Sequence, residues 1–268
     1  MYCVGFIGTG HMGGALVRAA VKAYDPAKIY IANRTVSKSL ALAEETGCAV
    51  STPEEIAQNC DLVFLGVKPQ GMEDLLSSLA PVFRGRKKPF ALASMAAGLE
   101  IATLQSMAGA DYPVIRMMPN TPVAVGEGVI LYDCSANVPE EMEAFFVDLF
   151  RFGGLRDKLP EAVIDAATVL AGSGPAYAAL LLDGLCKGAA EFDLPPEKAA
   201  LYGAQMLLGT GKLLLQSGKS PAKLCQEVCS PGGSTIEGVH VFRKADLEQI
   251  AVSAFEKAYR RNKELGKK

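Results

Sequence analysis

The sequence predicts an α/β protein: a doubly wound parallel sheet over residues 1–159, followed by an all-α domain over residues 160–268. Three observations predict it. Short apolar runs alternate with segments of helical periodicity through the first half. From about Pro160 the chain turns almost wholly to helix formers and small residues. A glycine-rich G-x-G-x-x-G turn joins the first predicted strand to the first predicted helix.

The elements follow in order. "YCVGFIG" is a short apolar run ending in glycine, which reads as a buried strand. "GGALVRAAVKAY" repeats its apolar residues at helical spacing. "KIYIANR" is β-branched and aromatic, a second strand, and "SKSLALAEETG" is a helix closed by Gly47. "DLVFLGVKP" is a third strand, ended by Pro69. "KPFALASMAAG", "YPVIRMMPN" and "GVILYD" read as further strands. In the second half, "PPEKAALYGAQMLLGTGKLLLQSG" opens on prolines suited to a helix start and closes at Gly218. "SPAKLCQEV" and "DLEQIAVSAFEKAYRRNKELGKK" are helices, the last with a frayed, solvated end. "AYAALLLDGL" and "AQMLLGTGKLLLQ" are apolar around more than one face. A small helical unit cannot cover such helices itself, so they predict a subunit interface.

Composition excludes several classes. Half of the residues are hydrophobic and 21% charged, which is globular rather than disordered. Lys and Arg total 27 against 29 Asp and Glu, a net charge of −2, so nothing in the balance attracts nucleic acid or an anionic membrane. No uninterrupted apolar run reaches the roughly 18 residues of a membrane helix, and "MYCVGFIGTG" is too glycine-rich for a signal peptide. Seven scattered cysteines without a C-x-x-C read as reduced thiols in a cytoplasmic protein. With only His11 and His240, a zinc site is not expected.

The glycine-rich turn is Gly8-Thr9-Gly10-His11-Met12-Gly13. Such a motif is weak alone, but here a strand precedes it, a helix follows, and a second strand begins about 20 residues on. That context makes the first domain Rossmann-type. Gly8 permits the tight turn, Gly10 the approach of a pyrophosphate, and Gly13 close packing of helix on strand. The free N–H groups of the helix start favour the anion. Dinucleotide enzymes selective for NAD carry a carboxylate at the tip of the second strand. Here stand Asn33-Arg34-Thr35, then Ser37 and Lys38, so NADPH is expected, with NADH possible. "GVKPQ" (66–70) and "SMAAGL" (94–99) end later strands and should line the cofactor. Lys68 is a conceivable base, though the loop backbone is the better candidate. "RMMPNTPVAVGEG" (116–128) reads equally as a rigid connector or as a contact loop.

Near the end, "CSPGGSTIEG" interrupts helical sequence with two glycines, a cost of roughly 1 kcal/mol each that something should offset. The residues leave two readings open. Gly232 and Gly233 expose N–H groups, and Ser234 and Thr235 add hydroxyls, an anion cradle suited to a carboxylate. The alternative is a plain turn with a Ser/Thr helix cap.

Nearly end to end, the chain resembles the pyrroline-5-carboxylate reductases. The resemblance rests on "GFIGTGHMGGAL", "GVKPQ", "SMAAGL", "RMMPNTPVAVGEG", "AGSGPAYAALLLDGL" and above all "VCSPGGSTIEG". It implies NADPH-dependent reduction of the cyclic imine 1-pyrroline-5-carboxylate to L-proline. It implies that Ser230, Gly232, Gly233 and Ser234 hold the substrate carboxylate and that Thr235 stands at the ring nitrogen. Asn33, Arg34 and Thr35 would meet the adenosine end, and Val67, Lys68, Pro69, Met95, Ala96 and Ala97 would line the cofactor. At Pro53 many members carry an asparagine nearby that touches the cofactor, a contact proline cannot copy. The resemblance further implies a homodimer through the C-terminal helices, assembled into a larger ring, and a bend at Gly172–Pro175, where a simple proline kink is the plainer reading.

The chemistry fits the residues. A protonated imine carbon accepts hydride without a metal or a strong nucleophile, so the protein's task is orientation and electrostatics. Thr235 is expected to orient the ring N–H rather than act as a strong acid, and neither histidine is placed for catalysis. Two rival readings exist. A β-hydroxyacid-type dehydrogenase would need a catalytic lysine, with Lys187 and Lys212 available but outside any substrate motif. A non-catalytic dinucleotide- or pyridoxal-phosphate-binding regulator would have no use for a second anion turn.

Overall fold

The structure, a computed structural model, describes residues 1–265. The end of the solvated C-terminal tail expected from the sequence, Gly266 to Lys268, lies outside the described residues. The chain divides into two compact units. One comprises Met1–Ser173 and takes the chain up again from Ala258; the other is Gly174–Lys257.

The first unit holds β1 (Val4–Ile7), α1 (His11–Ala20), β2 (Ile29–Ala32), α2 (Val36–Thr46), β3 (Ala49–Val50), α3 (Pro53–Asn59) and β4 (Leu62–Leu65). Then come α4 (Met72–Gly85), β5 (Ala91–Ser94), α5 (Ile101–Ala108), β6 (Val114–Pro119), β7 (Gly128–Cys134), α6 (Glu140–Leu149), β8 (Gly154–Lys158) and α7 (Glu161–Thr168). The strands form one sheet in the order β3-β2-β1-β4-β5-β6-β7-β8. The chain order reverses between β1 and β4, the switch point where such sheets open a crevice at the strands' carboxyl ends.

Every residue of β1, β4 and β5 is buried, because helices cover both faces of the sheet. Leu16, Val17, Phe146 and Phe150 pack on one face with Phe6 and Phe64. The Phe6 and Phe64 rings stack 4.4 Å apart. Ile56, Leu76, Leu79, Phe83 and Leu104 cover the other face.

The sheet departs from the sequence reading in three places. β3 and β8 were not foreseen: β3 has two residues, and β8 reads Gly-Leu-Arg-Asp-Lys, with no apolar alternation to betray it. β6 and β7 pair antiparallel, Met117 opposite Tyr132. Only a short 3-10 turn, Thr121–Val125, joins them, and a parallel return needs a crossover of about a dozen residues or more. The boundary between units also falls later than the change in composition at residue 160. α7 is helical in composition but packs with the sheet, its Ile164 buried against Met118 and Leu131.

The second unit is all helix: α8 (Gly174–Ala190), α9 (Pro196–Ser217), α10 (Pro221–Val228), α11 (Ser234–Lys244) and the start of α12 (Leu247–Leu265). α8 and α9 pack closely enough that a Cβ on Gly203 would stand 2.1 Å from Leu182. Among the described residues of this unit only Ala199 and Leu224 are buried.

Candidate active site

At the switch point the loops after β1 and β4 meet backbone to backbone. Gly8 lies at φ +95°, and a Cβ there would come within 2.7 Å of the Gly66 carbonyl carbon. Gly8 N–H donates to Ala32 O (2.8 Å) and Gly66 N–H to Ile7 O (2.7 Å), so both loops are tied to the strands they leave. A Cβ on Gly13 would stand 2.2 Å from Gly8 O, which is how closely α1 packs on its own strand. Gly10 faces open space, and nothing would meet a Cβ there within 4 Å.

α1 begins at His11 with Gly10 as its cap, no side-chain capping bond and no acidic residue in its first turn. Its first N–H groups and the positive end of its dipole are thus unspent. Thr9 Oγ1 is buried there without a hydrogen-bond partner. An uncapped helix start, an open glycine and an unsatisfied hydroxyl fit a pyrophosphate. Met12 is half-buried against the core beneath this turn.

The other cofactor candidates sit on neighbouring strand ends. Asn33 is half-buried, while Arg34, Thr35 and Lys38 are exposed just past β2. Among the described residues no ion pair engages Arg34 or Lys38, so both cations are available to a phosphate. Val67 packs on the core, Lys68 is exposed, and Pro69 opens the 3-10 turn leading into α4. Met95, Ala96 and Ala97 follow β5; Ala96 N–H donates to Ser94 Oγ at 3.3 Å. Pro53 is the first residue of α3, where Thr52 caps the helix by accepting from Glu55 N–H (3.1 Å). Its role there is to start a helix.

The Ser230–Thr235 turn lies in the other unit. Gly233 N–H closes it onto Ser230 O at 3.0 Å, and Gly232 takes φ +71°. Gly233, not Ser234 or Thr235, is the cap of α11, and it makes no side-chain capping bond. The Ser/Thr-cap reading is therefore not what the structure holds. Ser234 and Thr235 occupy the first helical turn with exposed side chains and a free helix start beside them. His240 lies further along α11, exposed. Lys187 is engaged by Asp183 one turn earlier (2.6 Å), and Lys212 is exposed on α9, so neither shows a base's environment.

Residues 161–265 match the family model described as pyrroline-5-carboxylate reductase dimerisation, and residues 3–97 that of NADP oxidoreductases, coenzyme F420-dependent. Pyrroline-5-carboxylate reductase 3 of Danio rerio is 36% identical over 268 residues, covering 99% of this chain and 92% of that protein. The Arabidopsis thaliana pyrroline-5-carboxylate reductase is 36% identical over 265 residues, covering 98% and 95%. Among solved structures, the Coxiella burnetii pyrroline-5-carboxylate reductase superposes with TM-score 0.88 at 29% identity, covering 100% and 99%. The Plasmodium falciparum pyrroline carboxylate reductase, with NADP bound, gives 0.87 at 27%, covering 99% and 98%.

This chain belongs to the pyrroline-5-carboxylate reductase family.

Membership explains the exposed helices. The helical half of this reductase is its dimerisation domain. Tyr177, Leu181, Leu185, Phe242 and Ile250 line an apolar groove of about 660 Å³ within it. The continuous helical run Glu161–Ala190 holds no uninterrupted apolar stretch of membrane-spanning length, yet by length and mean composition it is apolar enough to cross a membrane. The same apolar surface is what a dimerisation helix needs.

Two features of the reductase escaped the sequence reading. The first is Asn120, at the heart of the 116–128 loop. Its Oδ1 accepts from Val129 N–H (2.8 Å), and its Nδ2 donates to Ala171 O (3.0 Å). Ala171 lies in a π-helical turn, Val169–Ser173. Pro175, four residues later, has no N–H to return to that carbonyl, and Asn120 supplies the missing donor. The loop is thus knitted to the turn just ahead of Pro175, and that turn, Val169–Ser173, is π-helical, not a plain proline kink.

The second is a buried charge cluster. Arg116 on β6 is the largest fully buried side chain. It pairs with Asp165, and with Glu161 at 3.2 Å, both on α7. Lys263, near the end of α12, reaches the same Asp165 at 2.7 Å. Glu161 also accepts from Ile101 N–H (2.8 Å), at the start of α5. Burial alone would raise the Asp165 carboxyl, but the Lys263 hydrogen bond and the Arg116 charge outweigh it and hold it below the ordinary range.

Proposed function

We propose that this protein reduces 1-pyrroline-5-carboxylate to L-proline with NADPH, the substrate anchored by Ser230–Thr235. The chain is an NAD(P)H-dependent oxidoreductase of proline biosynthesis. The observation that carries the residue assignment is the uncapped start of α11: two glycines and a serine hydroxyl at a helix N-terminus that no side chain among the described residues caps.

In this reading Ser230 Oγ and the N–H groups of Gly232, Gly233 and Ser234 bind the substrate carboxylate. Thr235 holds the ring N–H through its hydroxyl, keeping the imine protonated and its C=N carbon electron-poor. The cofactor, when bound, supplies the hydride. The Gly8–Gly13 turn would hold its pyrophosphate, and Asn33, Arg34 and Thr35 its adenosine end. Val67, Lys68, Pro69, Met95, Ala96 and Ala97 would line the remainder of its path. Arg34, with no carboxylate beside it, favours the 2′-phosphate and hence NADPH, with NADH as the alternative cofactor. No residue need act as a strong acid, since the substrate arrives protonated and leaves as an amine. The reading extends to dimers assembled into a larger ring and to a cytoplasmic location, supported by seven unlinked cysteines.

The test is consumption of NADPH by purified protein with pyrroline-5-carboxylate, followed by the absorbance of reduced nicotinamide, with product identified as proline. Thr235→Ala should lose more than about tenfold in kcat/KM while NADPH affinity holds. Full activity in that variant would remove Thr235 from the mechanism. No turnover from a protein that binds NADPH would sink the reductase reading.

A further inference from the structure

At the amino ends of the strands, away from the cofactor loops, two cysteines meet. Cys3 precedes β1 and Cys60 ends α3, and their sulfurs lie 2.9 Å apart. Both backbones are pinned. Cys3 N–H donates to the Asp61 carboxylate (2.7 Å), and Cys3 O accepts from Asp61 N–H (2.8 Å) and Leu62 N–H (3.2 Å). Cys60 N–H completes α3 by donating to Ile56 O (2.9 Å). Arg86 closes over the pair, donating to Ala57 O (2.6 Å) and Cys60 O (2.8 Å) and lying 4.4 Å from the Phe90 ring centre. Its Nη2 is buried with no partner, which leaves part of a cation's hydrogen-bonding capacity unspent beside two thiols.

The two sulfurs differ in a way that assigns roles. Cys3 is half-buried, whereas Cys60 is 1% exposed, with its sulfur hydrogen-bonded to Cys3. The hydrogen bond shared by the two sulfurs holds the Cys3 thiol below its ordinary range, with Arg86 and Lys28 adding positive charge. The same bond, together with burial, pushes the Cys60 thiol up. A half-buried, acidified thiol beside a buried partner is the arrangement of an attacking and a resolving cysteine.

We propose that Cys3 and Cys60 are a peroxide-oxidisable thiol pair that closes into an intrachain disulfide apart from the catalytic groups. The Cys3 thiolate attacks one oxygen of hydrogen peroxide. An S–O bond forms, the O–O bond breaks, and hydroxide leaves. Cys3 is oxidised to the sulfenic acid and the peroxide is reduced. Cys60 sulfur, giving up its proton, then attacks the Cys3 sulfur. The S–S bond forms, the S–O bond breaks, and water leaves. Two thiols and one peroxide become one disulfide and two waters, and closure asks the sulfurs to approach by less than about 1 Å. Added dithiol reverses the link by exchange.

The experiment treats the reduced full-length protein with one equivalent of hydrogen peroxide, counts free thiols and maps the linked peptides by mass. The seven titratable thiols should fall by two, the Cys3 and Cys60 peptides should appear joined with loss of two hydrogens, and dithiothreitol should restore the count. NADPH affinity should be the same before and after. In Cys60→Ser the sulfenic acid should persist on Cys3 and be captured by dimedone. Seven thiols surviving peroxide, or a link between any other cysteines, would overturn the proposal. Loss of NADPH affinity on oxidation would overturn its separation from the cofactor loops.

Discussion

The two compact units solve the problem of burial in opposite ways. In the dinucleotide unit β1, β4 and β5 are buried along their whole length, and even a guanidinium, that of Arg116, is sealed inside with its counter-charges. In the helical unit α8 has no buried residue at all, and Leu180 stands 73% exposed and Ile250 56%. The first unit carries a core of its own. The second carries half of one, and its uncovered apolar face is the surface of a dimerisation domain. One polypeptide therefore combines a region stable by itself with a region stable by association, and the two should respond differently to the same kind of damage.

The largest effect should come from a charge placed in the unshared half. Leu181→Glu puts a carboxylate in the apolar groove, and in a two-fold dimer the substitution counts twice. At about 3 kcal/mol per copy, dimer affinity should fall roughly 10⁴-fold. Sedimentation should show monomers, and activity should vanish while the dinucleotide unit still binds NADPH. A stable, active Leu181→Glu dimer would break the comparison.

A smaller, local effect should follow in the self-sufficient half. Asp165→Asn leaves Arg116 short of a buried counter-charge and should cost about 3 kcal/mol in unfolding free energy, with the oligomer intact. The pH dependence has a definite sign. The folded Asp165 carboxyl lies below its unfolded value, so its contribution is full above the unfolded value near 4 and disappears as pH falls through the folded one. Acid unfolding should therefore be steeper in the parent than in Asp165→Asn. Equal slopes would remove Asp165 from the acid transition.

The smallest effect sharpens the comparison without disturbing either unit. Arg34→Ala should raise KM for NADPH about tenfold, roughly 1.4 kcal/mol, and leave KM for NADH unchanged. A parallel rise for both cofactors would show that Arg34 does not read the 2′-phosphate.

What could be read in the sequence divides along physical lines. The Gly8–Gly13 turn and the fully buried strands are local patterns, set by steric needs within a dozen residues. The turn at Ser230–Thr235 was visible too, but whether a side chain capped its helix was not, because capping depends on a rotamer. β8 was hidden because an edge strand of charged residues lacks apolar alternation, and the direction of β7 depends on how little chain precedes it. Arg116 reads as an intruder in an apolar strand until Asp165, 49 positions later, supplies its partner. Asn120 likewise becomes intelligible only beside Ala171, whose carbonyl Pro175 leaves without its helical donor.

The edges of the sheet have a consequence for assembly. β3 offers only two residues of open backbone, and β8 presents Arg156, Asp157 and Lys158 in succession. Neither invites another strand to add on. A chain that must meet its own kind has many wrong ways to do so, and a sheet ending in unpaired backbone is among the most dangerous. Here the sheet is made a poor mate at both margins while the helices are left adhesive. The sheet margins thus discourage association while the dimerisation helices invite it, and the chain's selectivity lies as much in what the sheet refuses as in what the helices accept.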